Sequence, residues 1–314
     1  MKSAWSRNAR DRDKVQSKCL PILGRHFFYR RGKVKVTIAS LMEMKAAGEK
    51  ITMLTAYDYP TARILDSSGV DIILIGDSLG NVMLGYRDTL PVTMDEMIHH
   101  SKAVCRGVER AFVIFDMPFM SYQSSIEEGL RNAGRAMKET CCNCVKIEGG
   151  ANCAPLVSKI AECGIPVCVH IGLTPQSVNM TGYKVQGKQF EKAKKIYDDA
   201  IALEAAGASM ILMECVPWKL AKLITEKLRI PTIGIGAGPH CDGQVLVFHD
   251  MMAISDQKTA KFVKAFAQVG KLMRRGVKQY VKEVKSSGYP EMEHSFVIED
   301  AIIERLAGKR GGKK

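Results

Sequence analysis
No apolar run in this sequence reaches the roughly 20 residues needed to cross a bilayer, so no transmembrane segment is expected. Internal repeats are absent, which excludes a solenoid or propeller array. Paired C-x-x-C zinc knuckles are missing too, although ten cysteines are present. Cys141, Cys142, Cys144, Cys153, Cys163 and Cys168 cluster instead, several of them inside apolar runs where cysteine behaves as a small hydrophobe. Buried free thiols in a reducing compartment are therefore expected, with a metal site or disulfides as the alternatives. A glycine-rich stretch, Gly234-Ile235-Gly236-Ala237-Gly238, lacks the following Lys-Ser/Thr of a P-loop and the full dinucleotide fingerprint. Close backbone packing is its better reading; a barrel phosphate site is the other.

The body also lacks net charge. The chain carries +13, but residues 1–35 hold eleven Lys/Arg against Asp11 and Asp13, and residues 309–314 hold four more. Those ends account for the whole surplus, leaving 36–308 neutral. A nucleic-acid partner is not expected, because phosphate binding needs a basic surface on the fold itself. Arg7, Arg10, Lys14 and Lys18 fall on one face at helical spacing, followed by Arg25, Arg30, Arg31 and Lys33. Such Arg-rich leaders resemble organelle transit peptides, implying a mitochondrial protein. Asp11, Asp13, few serines and a thin apolar face speak for a plain basic tail on a cytoplasmic one. The expected organisation is a basic extension over 1–36, a catalytic domain over 37–300 and a basic flexible tail over 301–314.

From residue 37 onward, short β-branched runs alternate with amphipathic helical stretches. The runs are 51–57, 70–76, 111–115, 144–148, 165–171, 209–214, 231–235 and 244–249. Helices are expected near 59–68, 93–108, 124–139, 153–163, 190–206, 217–228 and 259–285. Thr93 with Glu96 forms a capping-box signature, Pro217 suits the first turn of its helix, and Gly69, Gly164 and Gly207 suit left-handed helix ends. Eight strands alternating with helices form the pattern of a (β/α)8 TIM barrel.

Polar residues recur at the ends of these runs. Asp77, Asp116, Glu148, His170 and Glu214 each follow buried apolar residues, at the strand ends where such barrels keep their active groups. Lys146 and Glu148, two apart in a strand, share a face. Three converging carboxylates, Asp77, Asp116 and Glu148, would repel without a cation among them, and all-oxygen ligation suits Mg2+. Helix capping is the alternative for each acid. Lys146 is either a simple ion pair with Glu148 or a binder of substrate anion or developing enolate charge. His170 is either a satisfied strand-end histidine or a substrate contact. Glu214 is a candidate general acid or base, since partial burial raises a carboxyl pKa toward working pH.

These residues together resemble the ketopantoate hydroxymethyltransferase family over roughly residues 40–300. The resemblance rests on Thr55-Ala56-Tyr57-Asp58, Gly76-Asp77-Ser78-Leu79-Gly80, Thr89-Leu90-Pro91-Val92-Thr93, Asp116-Met117-Pro118-Phe119-Met120, Val145 to Gly150, His170 to Gln176, Glu214-Cys215-Val216-Pro217 and Asp242-Gly243-Gln244. It implies transfer of a hydroxymethyl group from 5,10-methylenetetrahydrofolate to α-ketoisovalerate, giving ketopantoate for pantothenate synthesis. Asp77, Asp116 and Glu148 would hold Mg2+. Asp77, Ser78, Asp116, Lys146 and His170 would contact the keto acid, and Glu214 would be the catalytic base. A homo-oligomer, a decameric ring of barrels, is implied as well.

The sequence departs from the family pattern in four places. Residues 179–183 are one short before Lys184-Val185-Gln186-Gly187, and Cys141-Cys142 replaces a usual Gly-Ala. Ala253 replaces a usual Gly, and Ala260 a usual Pro. Loss of glycine at a left-handed position costs on the order of 1 kcal/mol. A C–C lyase or mutase of the phosphoenolpyruvate mutase type is the rival enzyme, but its reactive Lys-Lys-Cys-Gly-His-like loop is absent. A non-catalytic or RNA-binding relative would have no reason to keep costly acids together at the strand ends.

Overall fold
The computed structural model describes residues 34–182, 184–255 and 260–308. The leader expected over 1–36 lies outside the described residues except for its last three, and so do residues 309–314 of the expected tail. Eight parallel strands close into a barrel in sequence order. They are β1 (Ile51–Thr55), β2 (Ile72–Ile75), β3 (Phe112–Asp116), β4 (Cys144–Glu148), β5 (Val167–Gly172), β6 (Met210–Glu214), β7 (Thr232–Ile235) and β8 (Gly243–Leu246). The TIM-barrel expectation holds, with strand bounds within a few residues of those read from the sequence.

Alternation of side chains along each strand explains where the site falls. Ile51 and Met53, Ile72 and Leu74, Phe112 and Ile114, Cys144, Cys168, Met210 and Leu212, Ile233 and Val245 form one buried cluster, the barrel interior. Their neighbours in sequence, such as Ile73, Val113, Val145, Val169 and Ile211, pack outward in the layer beneath the helices. The helix Ile38–Ala46 adds Leu41 and Met44 to the interior cluster. Two residues further along β3 to β6, the inward rows become polar: Asp116, Lys146, Glu148, His170 and Glu214.

Local signals behaved as expected, with one shift. The Thr93–Glu96 capping box is formed, Thr93 N–H donating to Glu96 at 2.8 Å. Gly69, Gly164 and Gly207 have φ of 86°, 78° and 99°. Pro217 sits one place earlier than expected, as the extended residue before the helix Trp218–Lys227.

The expectation of free thiols fails at one pair. Cys105, near the end of the helix Met94–Gly107, is disulfide-bonded to Cys141, just beyond the helix Ile126–Glu139, with Cα atoms 5.6 Å apart. The two positions are 36 residues apart and meet only because these helices are neighbours, so local cysteine spacing gave no sign of it. Cys142, Cys144, Cys168 and Cys241 are free and buried. Burial pushes Cys142 up to about 11 and Cys168 up to about 12, which keeps these thiols protonated and inert.

Beyond β8 the barrel differs from the simple pattern. The helix expected over 259–285 runs Val269–Lys285, and a further helix, Asp300–Leu306, occupies the start of the expected flexible tail. Only Gly270 of the longer helix is buried; Met273, Val277, Tyr280 and Val284 form an exposed apolar row along one face. On the outer faces of β1 and β8, Thr52 and Gln244 are exposed and Leu54 and Leu246 half-buried. A trough of about 770 Å³ runs along them. No helix among the described residues is long and apolar enough to cross a membrane.

Candidate active site
The polar ends of the inward rows face one cavity of about 260 Å³ at the C-terminal mouth of the barrel, lined among others by Asp77, Ser78, Asp116, Lys146, Glu148, His170 and Glu214. All seven residues expected at the site are therefore brought together. Sheet register sets their order. Asp116 lies beside Lys146, Glu148 beside His170, and Gly172 beside Glu214. Lys146 Nζ donates to Asp116 Oδ1 at 2.6 Å and stands 3.9 Å from Glu148 Oε1. His170 lies between two acids, its Nδ1 3.3 Å from Glu148 Oε1 and its Nε2 3.5 Å from Glu214 Oε2. Neither contact has hydrogen-bond geometry, so both ring nitrogens and Glu148 Oε1 are buried without a hydrogen-bond partner.

Asp77 enters from the turn after β2. Its backbone N–H donates to Asp116 Oδ2 at 3.2 Å, and its Oδ2 accepts from Gln176 Nε2 at 3.0 Å. Ser78 Oγ lies 2.8 Å from the Tyr57 hydroxyl, which fixes its position. None of Asp77, Asp116 and Glu148 serves as a helix cap: the helices that follow them begin after Ser78, Ser125 and Gly150. The capping alternative is not realised.

The electrostatics are those of a site with surplus negative charge. Burial raises Asp77 and Asp116, partly opposed by Lys146 and reinforced by Glu148, with Asp77 also raising Asp116. Burial also pushes Glu148 upward, but His170, Lys146 and the Gln176 N–H outweigh it, and the net shift is downward. For Lys146 burial favours loss of the proton; Asp116, Glu148 and Asp77 overcome it and hold the ammonium charged. Glu214 is raised by burial, with His170 opposing and Glu148 adding. With Asp250, five carboxylates thus line the cavity against one fixed cation.

That donor set fits a hard divalent ion. The oxygens are carboxylate, and Glu148 Oε1 is buried with no hydrogen-bond partner. Among the described residues, however, no three His, Cys, Asp or Glu side chains stand as a ready metal-holding group. The three-acid cage expected from the sequence is not drawn up, because Lys146 takes Asp116 while Gln176 takes Asp77 and Glu148. The protein would supply one or two carboxylates directly and leave other positions to water and substrate, the usual habit of Mg2+.

Gln176 is the functional residue that sequence reasoning did not assign. Its Nε2 donates to Asp77 Oδ2 and to the Met117 carbonyl, its N–H donates to Glu148 Oε2 at 2.9 Å, and its Oε1 accepts from the Tyr122 hydroxyl at 2.7 Å. One buried glutamine, through its side-chain amide and its backbone N–H, therefore spaces two of the acids. The available signal was its place, six residues after His170 in the turn beyond a strand end. The Gly-rich stretch shows its packing role: a Cβ on Gly238 would lie 2.3 Å from the Trp218 Cβ. Asp250 also lines the cavity, its carboxyl raised by burial.

Comparison with known proteins bears on the fold and on the family. Solved structures share the barrel at low identity and so speak for the fold alone. A phosphoenolpyruvate phosphomutase from Streptomyces platensis subsp. rosaceus superposes with a TM-score of 0.55 at 14% identity, covering 87% of this chain and 95% of that one. A phosphonopyruvate hydrolase in complex with oxalate and Mg2+ does so at 0.56 and 10%, with 87% and 95% coverage. Curated relatives are far nearer in sequence. The 3-methyl-2-oxobutanoate hydroxymethyltransferase of Clostridium botulinum (strain 657 / Type Ba4) is 55% identical over 271 residues, 86% of this chain and 98% of the relative. That of Carboxydothermus hydrogenoformans is 55% identical over 273 residues, 87% of this chain and 99% of its own length. The family model described as ketopantoate hydroxymethyltransferase matches residues 35–292. The protein is an enzyme, and the chain belongs to the ketopantoate hydroxymethyltransferase family.

Proposed function
We propose that the chain transfers a hydroxymethyl group from 5,10-methylenetetrahydrofolate to α-ketoisovalerate, giving ketopantoate. The observation that carries this reading is the placement, in one small cavity, of a proton-seeking carboxylate (Glu214) and a buried lysine held charged among acids (Lys146). A branched 2-keto acid has an anionic end to be bound and a C3 proton to be lost, and the cavity answers both.

Lys146 faces the keto acid's developing negative charge, and Ser78, steadied by Tyr57, offers a hydroxyl beside it. Asp77 and Asp116, with Glu148 nearby, would hold Mg2+, which when bound supplies Lewis acidity toward the 2-keto acid. Gln176 keeps Asp77 and Glu148 spaced while the charge changes. Glu214 accepts the C3 proton, and His170, 3.5 Å away, is placed to share it. The carbon nucleophile then attacks the donor's methylene once its bond to one folate nitrogen has opened and that nitrogen has taken a proton. Water then replaces the second nitrogen, supplying the hydroxyl and leaving its proton on the departing tetrahydrofolate. Incubating the purified chain with α-ketoisovalerate, 5,10-methylenetetrahydrofolate and Mg2+ tests the proposal. Ketopantoate should appear by mass spectrometry, and its absence refutes the assignment.

The homo-oligomer belongs to the same proposal. The exposed apolar row of Val269–Lys285 and the uncovered outer faces of β1 and β8 are surfaces that a second copy would bury. Sedimentation should return an assembly, the decameric ring by family resemblance; a monomer at micromolar concentration overturns it.

A further inference from the structure
Tyr122 lies in the connection between β3 and the helix Ile126–Glu139, buried at 4% exposure behind the acid-lined cavity. Its hydroxyl accepts the Glu148 backbone N–H at 2.9 Å and donates to Gln176 Oε1 at 2.7 Å. The Glu148 carbonyl, at 3.4 Å, is the weaker claimant on that proton. Gln176 Oε1 also accepts from Gln123 Nε2 at 2.9 Å. With two donors on the oxygen, the amide nitrogen must point the other way, to Asp77 Oδ2 at 3.0 Å and the Met117 carbonyl at 2.9 Å. A reversed amide would set oxygen against oxygen at both of those contacts. A phenol can give one proton and receive another, and here both capacities serve the residues that arrange the acids.

The segment that delivers this hydroxyl is braced along its length. The Met117 N–H donates to the Lys146 carbonyl at 2.9 Å, the Ser121 hydroxyl to the Pro118 carbonyl at 2.7 Å, and Asn132 Nδ2 to the Ser121 carbonyl at 2.7 Å. A Cβ on Gly129 would lie 3.2 Å from the Tyr122 Cβ, so the ring sits directly against the following helix. Met120, with φ of 62°, holds a left-handed conformation that is unfavourable for a residue with a side chain. Glu148 shows what the bracing achieves. Its Oε1 stops 3.9 Å from Lys146 Nζ, short of a hydrogen bond, while Gln176 N–H holds its Oε2 and Tyr122 holds its backbone. Released, it would close on the lysine, and a carboxylate paired with Lys146 is withdrawn from a cation.

We infer that Tyr122 is a positioning residue for the acid cluster: through the Glu148 N–H and the Gln176 amide, its hydroxyl keeps Glu148 and Asp77 spaced to admit a divalent ion together with a 2-keto acid. The inference rests on the function proposed above and adds what fixes that spacing. Tyr122→Phe keeps the ring and removes only the hydroxyl, and a thermal melt verifies the fold. The Kd for Mg2+, titrated calorimetrically with saturating α-ketoisovalerate and no donor, should rise about tenfold, the usual effect of leaving a buried polar group unpaired. The Mg2+ needed for half-maximal turnover should rise in step, with kcat recovered at saturating Mg2+ and the KM for 5,10-methylenetetrahydrofolate unchanged. Gln176→Leu should raise the same Kd, and adding Tyr122→Phe to it should raise it little further, because the two act on one network. If wild type binds Mg2+ with the keto acid and makes ketopantoate, three results overturn the inference and leave the function standing: an unchanged Kd in Tyr122→Phe, a lowered kcat that excess Mg2+ does not restore, or fully additive effects. If wild type neither binds the pair nor makes product, both fall.

Discussion
Replacing Glu214 by glutamine isolates the base from everything else the site does. The side chain is 17% exposed, ends β6 and touches no backbone cap, so an amide of the same size leaves the barrel undisturbed. What disappears is the ability to take a proton. A positioned general base contributes about 10²–10⁴-fold, or roughly 3–5 kcal/mol of barrier, so turnover should fall by that factor while the KM for α-ketoisovalerate stays near wild type. Burial raises the Glu214 carboxyl above its ordinary range, and only the ionised form accepts the proton. Wild-type turnover should therefore decline as pH falls through that raised value, and the acid limb should vanish from the Glu214→Gln profile. Exchange of the C3 hydrogen of α-ketoisovalerate for deuterium, followed by NMR, reads the enolisation step directly. Exchange and product formation should drop in parallel. Wild-type exchange with lost product would refute the assignment, place Glu214 on the folate half of the reaction, and make Lys146 or a bound water the base to test.

Three further outcomes follow from particular residues. Asp116→Asn should raise the Mg2+ requirement and cut turnover by orders of magnitude, and Mg2+ with α-ketoisovalerate at a hundredfold over Kd should stabilise wild type by about 2.7 kcal/mol; full activity of the variant in chelator removes the metal assignment. Ala253, with φ of 47°, holds a left-handed conformation that suits glycine. Ala253→Gly should therefore gain about 0.5–1 kcal/mol in urea unfolding, the left-handed penalty of about 1–2 kcal/mol less the extra chain entropy of glycine, and a loss of stability contradicts that account. Residues 1–36 fused to a fluorescent reporter should carry it into mitochondria; a diffuse cytosolic signal makes the segment a plain basic extension.

Much of the site could be read from the chain because a strand in a barrel is a two-residue code. Cys144, Lys146 and Glu148 occupy one inward row, and Ile114 to Asp116, Cys168 to His170 and Leu212 to Glu214 make the same change from apolar to polar in one step. At roughly 3.3 Å per residue, that step carries each row about 7 Å, from sealed core to cavity. Parallel pairing then sets these ends side by side. The residues that escaped notice obey no such code. Gln176 acts from a turn, and its reach to Asp77 and Glu148 depends on how β5 exits the barrel. Cys105 and Cys141 meet through helix packing, and the bare faces of β1 and β8 depend on where the last helices go.

The surplus of buried acids costs stability and so points to function. A chain selected for stability alone would pair each buried acid with its own cation. Here one lysine serves Asp77, Asp116 and Glu148, and burial holds the two aspartates above their ordinary proton affinity. Gln176 relieves two of the acids with neutral hydrogen bonds, which space them without cancelling their charge. Below this layer the barrel interior is packed with Ile, Leu, Met, Phe and Cys, whose burial offsets that cost. The imbalance suits the proposed function, which needs something that arrives with positive charge and leaves room for an oxygen-rich substrate. A divalent ion and a 2-keto acid meet both conditions, and an added lysine would meet only the first.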